Sequence, residues 1–280
     1  MNLRKVSAAA ATVLALSLTA TACGSDDKDS GSGDGDGNGK KITIGIKFDQ
    51  PGLGLKTPDG YTGFDVDVAT YVAKELGYDE KDITWKETPS ADREEALKRG
   101  DVDLIAATYS ITDERKEKVD FAGPYLLAHQ DLLIRADDNI AKGADINGKK
   151  LCSVAGSTSA QNVKKSIAPD AQLQERSTYS ECLDAVANGT FDALTTDDSI
   201  LAGYAAQKQY EGKFKLAGLN LSNENYGIGV KKGDTEMLDK VNKALEKMVA
   251  DKAWEKAVTD NFGPANYKNE PAPKIGDIVK

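Results

Sequence analysis

Histidine is almost missing from this chain, which has one, His129, in 280 residues. Histidine is the usual general base of nucleophilic enzymes and a common zinc ligand. No Ser, His and Asp arrangement and no zinc-ligand spacing can be assembled from the sequence. We therefore expect no metal site and no hydrolase, and a structural role for His129.

Basic residues are also in the minority, because 36 Lys and Arg face 45 Asp and Glu for a net charge of −9. A negative chain is poorly suited to nucleic acid, so we expect no nucleic-acid partner. The net field will not draw an acidic ligand inward either. A site for an anion must therefore be built from local cations.

Long apolar runs are absent beyond the N-terminus. Arg4 and Lys5 precede an apolar run from Ala8 to Leu18, and small residues follow in "LTATAC". This run is too short to span a bilayer as a mature helix, so residues 1–22 are predicted to be a secretory signal peptide. No later segment is long and apolar enough to cross a membrane.

Cys23 directly follows this segment and resembles the lipidated cysteine of bacterial lipoproteins, although Ala20 stands where leucine is usual. Ordinary cleavage with an incidental Cys23 is the alternative. Residues 23–40 are rich in Gly, Ser and Asp and predict a disordered tether. These features predict a protein held by a lipid at the extracellular face of the cell membrane.

The other two cysteines are Cys152 and Cys182. An even pair in an exported chain predicts a disulfide. Two buried free thiols are the alternative.

Strand and helix patterns alternate along residues 41–280, as in an α/β fold. The strand "KITIGIK" is followed by the helix "GFDVDVATYVAKELG", and a similar alternation starts again after Arg135. We expect two lobes, formed by residues 41–134 with 226–280 and by residues 135–225. Two strands would then cross between them, giving a hinge and an interlobe cleft.

The stretch "SITDERKEKVDF" places a cation at an unusual position. Thr112 is a predicted helix N-cap, so Arg115 lies in the first turn, where a positive charge costs roughly 0.3–1 kcal/mol. Arg115 either points to solvent or an acidic neighbour, or it helps bind an anion. A guanidinium beside hydroxyls and free N–H groups would suit a carboxylate or phosphate.

Three segments carry a family resemblance: "GFDVDVATYVAKEL", "DVDLIAATYSITDERKEKVDFAGPY" and "FDALTTDDS". Together they resemble solute-binding proteins of polar amino-acid ABC importers, in order from residue 41 to about 263. The stretch "GIKFDQPGLG" is most similar to glutamate- and aspartate-binding lipoproteins. The resemblance implies a type II periplasmic-binding-protein fold, a monomer without cofactor, and ABC permease and ATPase partners.

The resemblance also assigns roles to the residues at the ligand's backbone end. Arg115 corresponds to the arginine that clamps the ligand α-carboxylate, assisted at Thr108 and Ser110. Asp197 corresponds to the carboxylate that binds the α-ammonium group, and Asp198 is a competing candidate. Helix capping is the alternative for either aspartate.

Family position further suggests that Thr158 touches the α-carboxylate from the second lobe, with Ser159 as a helix cap. Arg93, which follows the predicted cap Ser90, would face a side-chain carboxylate. Lys47 points toward the same region in the family, although a structural role is equally open.

The alternative for Arg93 is a surface ion pair with Glu94 or Glu95, which would contribute little. Phe48, Tyr61 and Tyr109 are candidates for the wall of the ligand site or for the core.

Two arginines and an aspartate fit a ligand with two carboxylates and one amine, which is L-glutamate or L-aspartate. The alternatives are a binding protein for glutamine or asparagine, a dehydratase-like enzyme, and a sensor on the same scaffold.

Overall fold

The computed structural model of the protein describes residues 41–280. The predicted signal peptide, the predicted lipidation site Cys23 and the predicted tether lie outside the described residues. Within residues 41–280, no helix combines the length and the apolar character needed to cross a bilayer.

The described chain alternates short strands and helices, as predicted. The strands are β1 (Ile42–Ile46), β2 (Asp49–Gln50), β3 (Gly54–Thr57), β4 (Gly60–Thr62), β5 (Ile83–Glu87), β6 (Leu104–Ile105), β7 (Val119–Arg135), β8 (Lys150–Val154), β9 (Gln172–Arg176), β10 (Ala193–Asp197), β11 (Phe214–Leu216) and β12 (Asn223–Lys231). The helices are α1 (Phe64–Glu75), α2 (Arg93–Arg99), α3 (Asp113–Lys116), α4 (Thr158–Asn162), α5 (Ser180–Ala187), α6 (Asp198–Ala205), α7 (Thr235–Ala250) and α8 (Ala253–Phe262).

The main sheet has the strand order β5-β1-β6-β12-β7-β10-β8-β9, and β11 also pairs with β7. The first part of β7 is antiparallel to β12, whereas its last residues pair with β10 and β11. A separate small sheet joins β2, β3 and β4. The 17-residue strand β7 therefore runs through both halves of the main sheet.

Helices α1, α7 and α8 pack together beside the first half of the sheet. Phe64 of α1 is fully buried and packs edge-on against Trp254 of α8, with ring centroids 5.9 Å apart. Burying aromatic side chains of this size contributes strongly to a core. The Asp65 carboxylate of α1 accepts a hydrogen bond from the Thr108 amide at 2.9 Å, so this packing also holds the loop that follows β6.

The predicted disulfide is confirmed, because the Sγ atoms of Cys152 and Cys182 are bonded at 2.06 Å. It ties β8 to α5.

Helix caps were predicted with mixed success. Thr112 is confirmed, since its hydroxyl accepts a hydrogen bond from the Arg115 amide at 3.2 Å. Ser90 and Ser159 are not caps, because Ser90 lies inside a 3-10 turn and Ser159 follows the true cap Ser157. Two serines, Ser157 and Ser159, lie close together at the start of α4, so the sequence pattern there does not single out the capping residue.

Candidate functional site

Two guanidinium groups lie against the same aromatic ring. The Arg93 group is 4.1 Å and the Arg115 group 5.1 Å from the centroid of the Tyr109 ring. Both residues are buried, with 2% and 6% of their surface exposed. Because burying charge costs free energy unless it is paired, two adjacent buried arginines indicate a site for an anion.

Arg93 is oriented by backbone carbonyl groups. Its Nη1 donates to the carbonyl oxygens of Ala107 and Thr108 at 3.0 and 3.1 Å, and its Nε donates to that of Ser90 at 3.2 Å. The alternative of a surface ion pair with Glu94 or Glu95 is wrong, because Arg93 is buried and its partners are these carbonyls.

Arg115 is held from both halves of the sheet. Its Nη1 donates to the Ser110 carbonyl at 2.7 Å, and its Nη2 donates to the Gly156 carbonyl at 2.9 Å. Its Nε lies 3.7 Å from Oε1 of Glu94, which also accepts from the Tyr109 hydroxyl. Arg115 therefore does not point to solvent, although it approaches an acidic neighbour as one alternative proposed.

Lys47 adds a third cation. Its Nζ donates to the Ser90 hydroxyl at 2.8 Å, and 5% of the residue is exposed. Burial and then the nearby Arg93 charge lower the pKa of Lys47 well below its usual value. Burial and then Arg115 lower the pKa of Arg93 to about 10. The neighbouring arginine charges thus weaken the protonation of Lys47 and of Arg93, and a bound anion would favour the charged form of both.

Thr108 lies in a strained loop beside these cations. Its φ of +44° is in the left-handed region that non-glycine residues rarely adopt. Its amide donates to Asp65 at 2.9 Å, and Tyr125 donates to the same carboxylate at 2.7 Å. Burial raises the pKa of Asp65 to about 6. Backbone strain held by a buried carboxylate is typical of ligand-binding loops.

Gln50 is a polar side chain of this region that sequence analysis did not single out. Its Oε1 accepts a hydrogen bond from the Thr108 hydroxyl at 3.2 Å. It is fully buried, and its Nε2 has no hydrogen-bond partner among the described residues. A buried amide with a free N–H is costly unless a ligand accepts from it.

Asp197 supplies negative charge at the end of β10. Its Oδ2 accepts from the Tyr226 hydroxyl at 2.5 Å, and its Oδ1 accepts from the Ser159 hydroxyl at 3.4 Å. Burial and then the charge of Glu224 raise the pKa of Asp197 well above its usual value. A cation placed here would favour the ionised form.

Glu224, the second residue of β12, was not singled out by the sequence analysis. Its two oxygens accept from the hydroxyls of Thr158, at 2.9 Å, and Ser222, at 2.7 Å. The side chains that donate to Asp197 and Glu224 in these hydrogen bonds are all neutral hydroxyls. The region therefore holds two buried carboxylates without a cationic partner in these hydrogen bonds.

Gly156 brings the two halves of the site together. Its carbonyl accepts from Arg115 and, at 3.5 Å, from Arg93. A Cβ atom built at Gly156 would lie 2.7 Å from the Cα of Ala91. The loop after β8 thus approaches the turn before α2 so closely that a larger residue does not fit.

Asp198, the competitor of Asp197, has a different environment. Its Oδ1 accepts from the amides of His129 and Ser199 at 3.0 and 2.8 Å, and from the Tyr267 hydroxyl at 2.9 Å. His129 itself lies inside β7, and its Nδ1 is 2.9 Å from Oδ1 of Asn223. Both residues are engaged in contacts around the crossing strands.

The structure therefore groups most of the predicted site residues. One group comprises Lys47, Arg93, Thr108, Ser110 and Arg115, and the second comprises Thr158 and Asp197. Phe48 and Tyr61 pack on one another with ring centroids 5.0 Å apart. Residues 41–280 contain no cluster of three His, Cys, Asp or Glu side chains suited to a metal ion.

Comparison with protein families gives a match over most of the described chain. The model of the bacterial extracellular solute-binding proteins, family 3, matches residues 42–264.

Curated relatives are similar over most of their length. The glutamate-binding protein GluB of Corynebacterium efficiens is 50% identical over 234 residues, which are 79% of this chain and 79% of that protein. The ABC transporter glutamine-binding protein GlnH of Bacillus subtilis is 40% identical over 214 residues, 75% of this chain and 77% of its own length.

A solved structure shows the same architecture. An ancestral arginine-binding protein bound to glutamine superposes with a TM-score of 0.73 at 35% identity, covering 80% of this chain and 98% of that one.

Proposed function

This chain belongs to family 3 of the bacterial extracellular solute-binding proteins, and from that premise we propose that it captures L-glutamate, or L-aspartate, for an ABC importer. It has the two-lobed type II fold and is an amino-acid binding protein, not an enzyme. The observation that carries the choice of an acidic ligand is the pair of buried arginines on the Tyr109 ring.

Each arginine is assigned one ligand carboxylate. Arg115 clamps the α-carboxylate with help from Thr108 and Ser110, and Arg93 with Lys47 receives the side-chain carboxylate. Planar guanidinium groups pair with carboxylates through two parallel hydrogen bonds, which supports this assignment. The free Nε2 of Gln50 is a further donor to the ligand.

The α-ammonium group is assigned to Asp197. Its charge would offset the repulsion between the buried Asp197 and Glu224 carboxylates. Thr158 is assigned to the α-carboxylate. A hydroxyl carries one proton, so this contact requires Thr158 to turn away from Glu224.

Glutamine is the second candidate ligand, since a relative at 40% identity is a glutamine-binding protein. The buried charge of Arg93 argues against it. A neutral amide would leave that charge uncompensated in a closed cleft, which costs several kcal/mol.

Delivery to a transporter requires a ligand-dependent change of shape. We assign residues 41–134 with 226–280 to one lobe and residues 135–225 to the other. Arg115 and Asp197 then belong to different lobes, so only the closed form completes the site and the ligand favours it. A lipid on Cys23 would hold the monomer at the extracellular face of the membrane, beside the permease and ATPase subunits.

Calorimetry with the purified full chain tests this assignment, after unfolding and refolding to remove carried ligand. The titrants are L-glutamate, L-aspartate, L-glutamine and L-asparagine. We expect tight binding of an acidic amino acid, a loss of affinity of at least 30-fold in Arg115→Ala, and a preference shifted toward glutamine in Arg93→Ala.

Arg99→Ala is the matched control for Arg93→Ala. Arg99 belongs to the same helix as Arg93, α2, but pairs with Asp101 at the surface. It should leave all four affinities unchanged. Tight binding of glutamine, with an affinity that Arg93→Ala does not change, would overturn the proposed specificity for acidic amino acids. Absence of binding by all four amino acids would overturn the proposed ligand class.

A further inference from the structure

The C-terminal strap, Tyr267–Lys280, lies beyond the part of the chain that matches the family. It follows α8 and contains no helix or strand of its own. Its side chains and backbone nevertheless make defined contacts with the crossing strands β7 and β12 and with the start of α6. These contacts have no place in the function proposed above.

The first contact is at the start of the strap. The Tyr267 hydroxyl donates to Oδ1 of Asp198 at 2.9 Å. Asp198 opens α6 and directly follows Asp197, the residue assigned to the ligand ammonium group. Tyr267 therefore fixes the helix end from which Asp197 projects.

The second set of contacts is at the other end of the strap. Asn225 donates from Nδ2 to the Val279 carbonyl at 2.9 Å and accepts from the Val279 amide at 3.1 Å. Asn223 donates from Nδ2 to the Lys280 carbonyl at 2.9 Å. These two asparagines flank Glu224, so the strap holds both sides of the second buried carboxylate.

Between its ends the strap is anchored at few points. The Gly276 amide donates to the Gly123 carbonyl at 2.8 Å, and Glu270 lies 3.5 Å from Nε2 of His129. Residues 272–275 line a cavity of about 530 Å³ together with Tyr125 and Trp254. The strap is therefore held by these hydrogen bonds together with three half-buried side chains that pack against the core, Tyr267, Ala272 and Ile275.

We propose that the C-terminal strap is a positioning element for the ligand cleft, which fixes the segments carrying Asp197 and Glu224 relative to each other. Tyr267 acts on the first segment, and Val279 with Lys280 acts on the second. Neither end touches the cation group directly. The effect on affinity rests on the proposed function, in which Asp197 binds the ligand ammonium group.

The test compares the full chain with Tyr267→Phe and with a chain that ends at Asp277. Each variant removes hydrogen bonds of one end of the strap and leaves the other end in place. We expect each to raise the Kd for the amino acid that binds the unaltered protein by about two- to tenfold, mainly through a faster dissociation rate. Calorimetry and stopped-flow fluorescence give both quantities.

Tyr210→Phe is the matched control, because its hydroxyl donates to Asp184 at 3.0 Å on the surface. It should leave Kd and the dissociation rate unchanged. A lower melting temperature with an unchanged Kd in both strap variants would mean a purely structural strap and would overturn the proposal.

Amide hydrogen exchange gives a second readout without any ligand. We expect faster exchange at residues 223–225 in the chain ending at Asp277 and at residues 197–199 in Tyr267→Phe. If the unaltered protein binds none of the amino acids, the proposed function fails, and this measurement alone decides on the strap. Unchanged amide exchange rates at both segments would overturn the proposal that the strap positions them.

Discussion

The site is built from ionisable side chains whose burial is energetically unfavourable. Lys47, Arg93 and Arg115 are buried close together, and burial and their mutual repulsion lower the pKa of Lys47 and of Arg93. Asp197 and Glu224 are buried together with the opposite sign. Such charges persist in a fold when a ligand of complementary charge compensates them, at some cost to the stability of the ligand-free protein.

Asp197→Asn separates binding from stability. The substitution removes the charge that would pair with the ligand ammonium group, so we expect the affinity to fall by at least 30-fold. It also removes the repulsion with Glu224 that raises the pKa of Asp197. The melting temperature of the ligand-free protein should therefore stay the same or rise, as measured by calorimetric scanning.

Asp198→Asn is the matched control for this charge. Its side-chain oxygen can still accept the bonds from His129, Ser199 and Tyr267, so the affinity should change little. A larger loss of affinity in Asp198→Asn than in Asp197→Asn would reverse the assignment of the two aspartates.

Helices and strands were largely predictable because their patterns are local. The strand β1 and the helix α1 were expected close to their observed bounds. The family motifs also directed attention to Arg93 and Arg115. Glu224 and Gln50 were not found, because their environment depends on Thr158 and Thr108, which lie 66 and 58 residues away. Contacts at such separations leave no periodic signal in the sequence.

The disulfide links β8 and α5 across 30 residues. Closing a loop of this length lowers the entropy of the unfolded chain and stabilises the fold by about 3–4 kcal/mol. We expect the double variant Cys152→Ala, Cys182→Ala to lower the free energy of unfolding by about this amount, as measured by urea denaturation.

Reduction with dithiothreitol should reproduce the stability loss of the double variant, and the variant itself should not respond to the reductant. A double variant as stable as the unaltered protein would contradict the entropic contribution of the bond.

The two parts of the site are brought together at one close backbone contact, between Gly156 and Ala91. Gly156 follows β8, and Arg115 and Arg93, from the part containing β1 and β6, both donate to its carbonyl. Its φ of +76° and its contact with Ala91 leave no room for a side chain. The arrangement in which the cations and Asp197 lie together therefore requires glycine at this position.

Gly156→Ala should prevent that approach, because its Cβ would lie 2.7 Å from the Cα of Ala91. We expect the ligand affinity to fall at least tenfold, and small-angle scattering to show a smaller compaction on adding ligand. Gly148→Ala controls for backbone strain, since Gly148 has nearly the same φ of +74° but no atom within 4 Å of the added Cβ. Both variants should lose about 1 kcal/mol of stability from the strained φ, but only Gly156→Ala should lose affinity. Equal affinities would show that the close approach at Gly156 is not part of ligand capture.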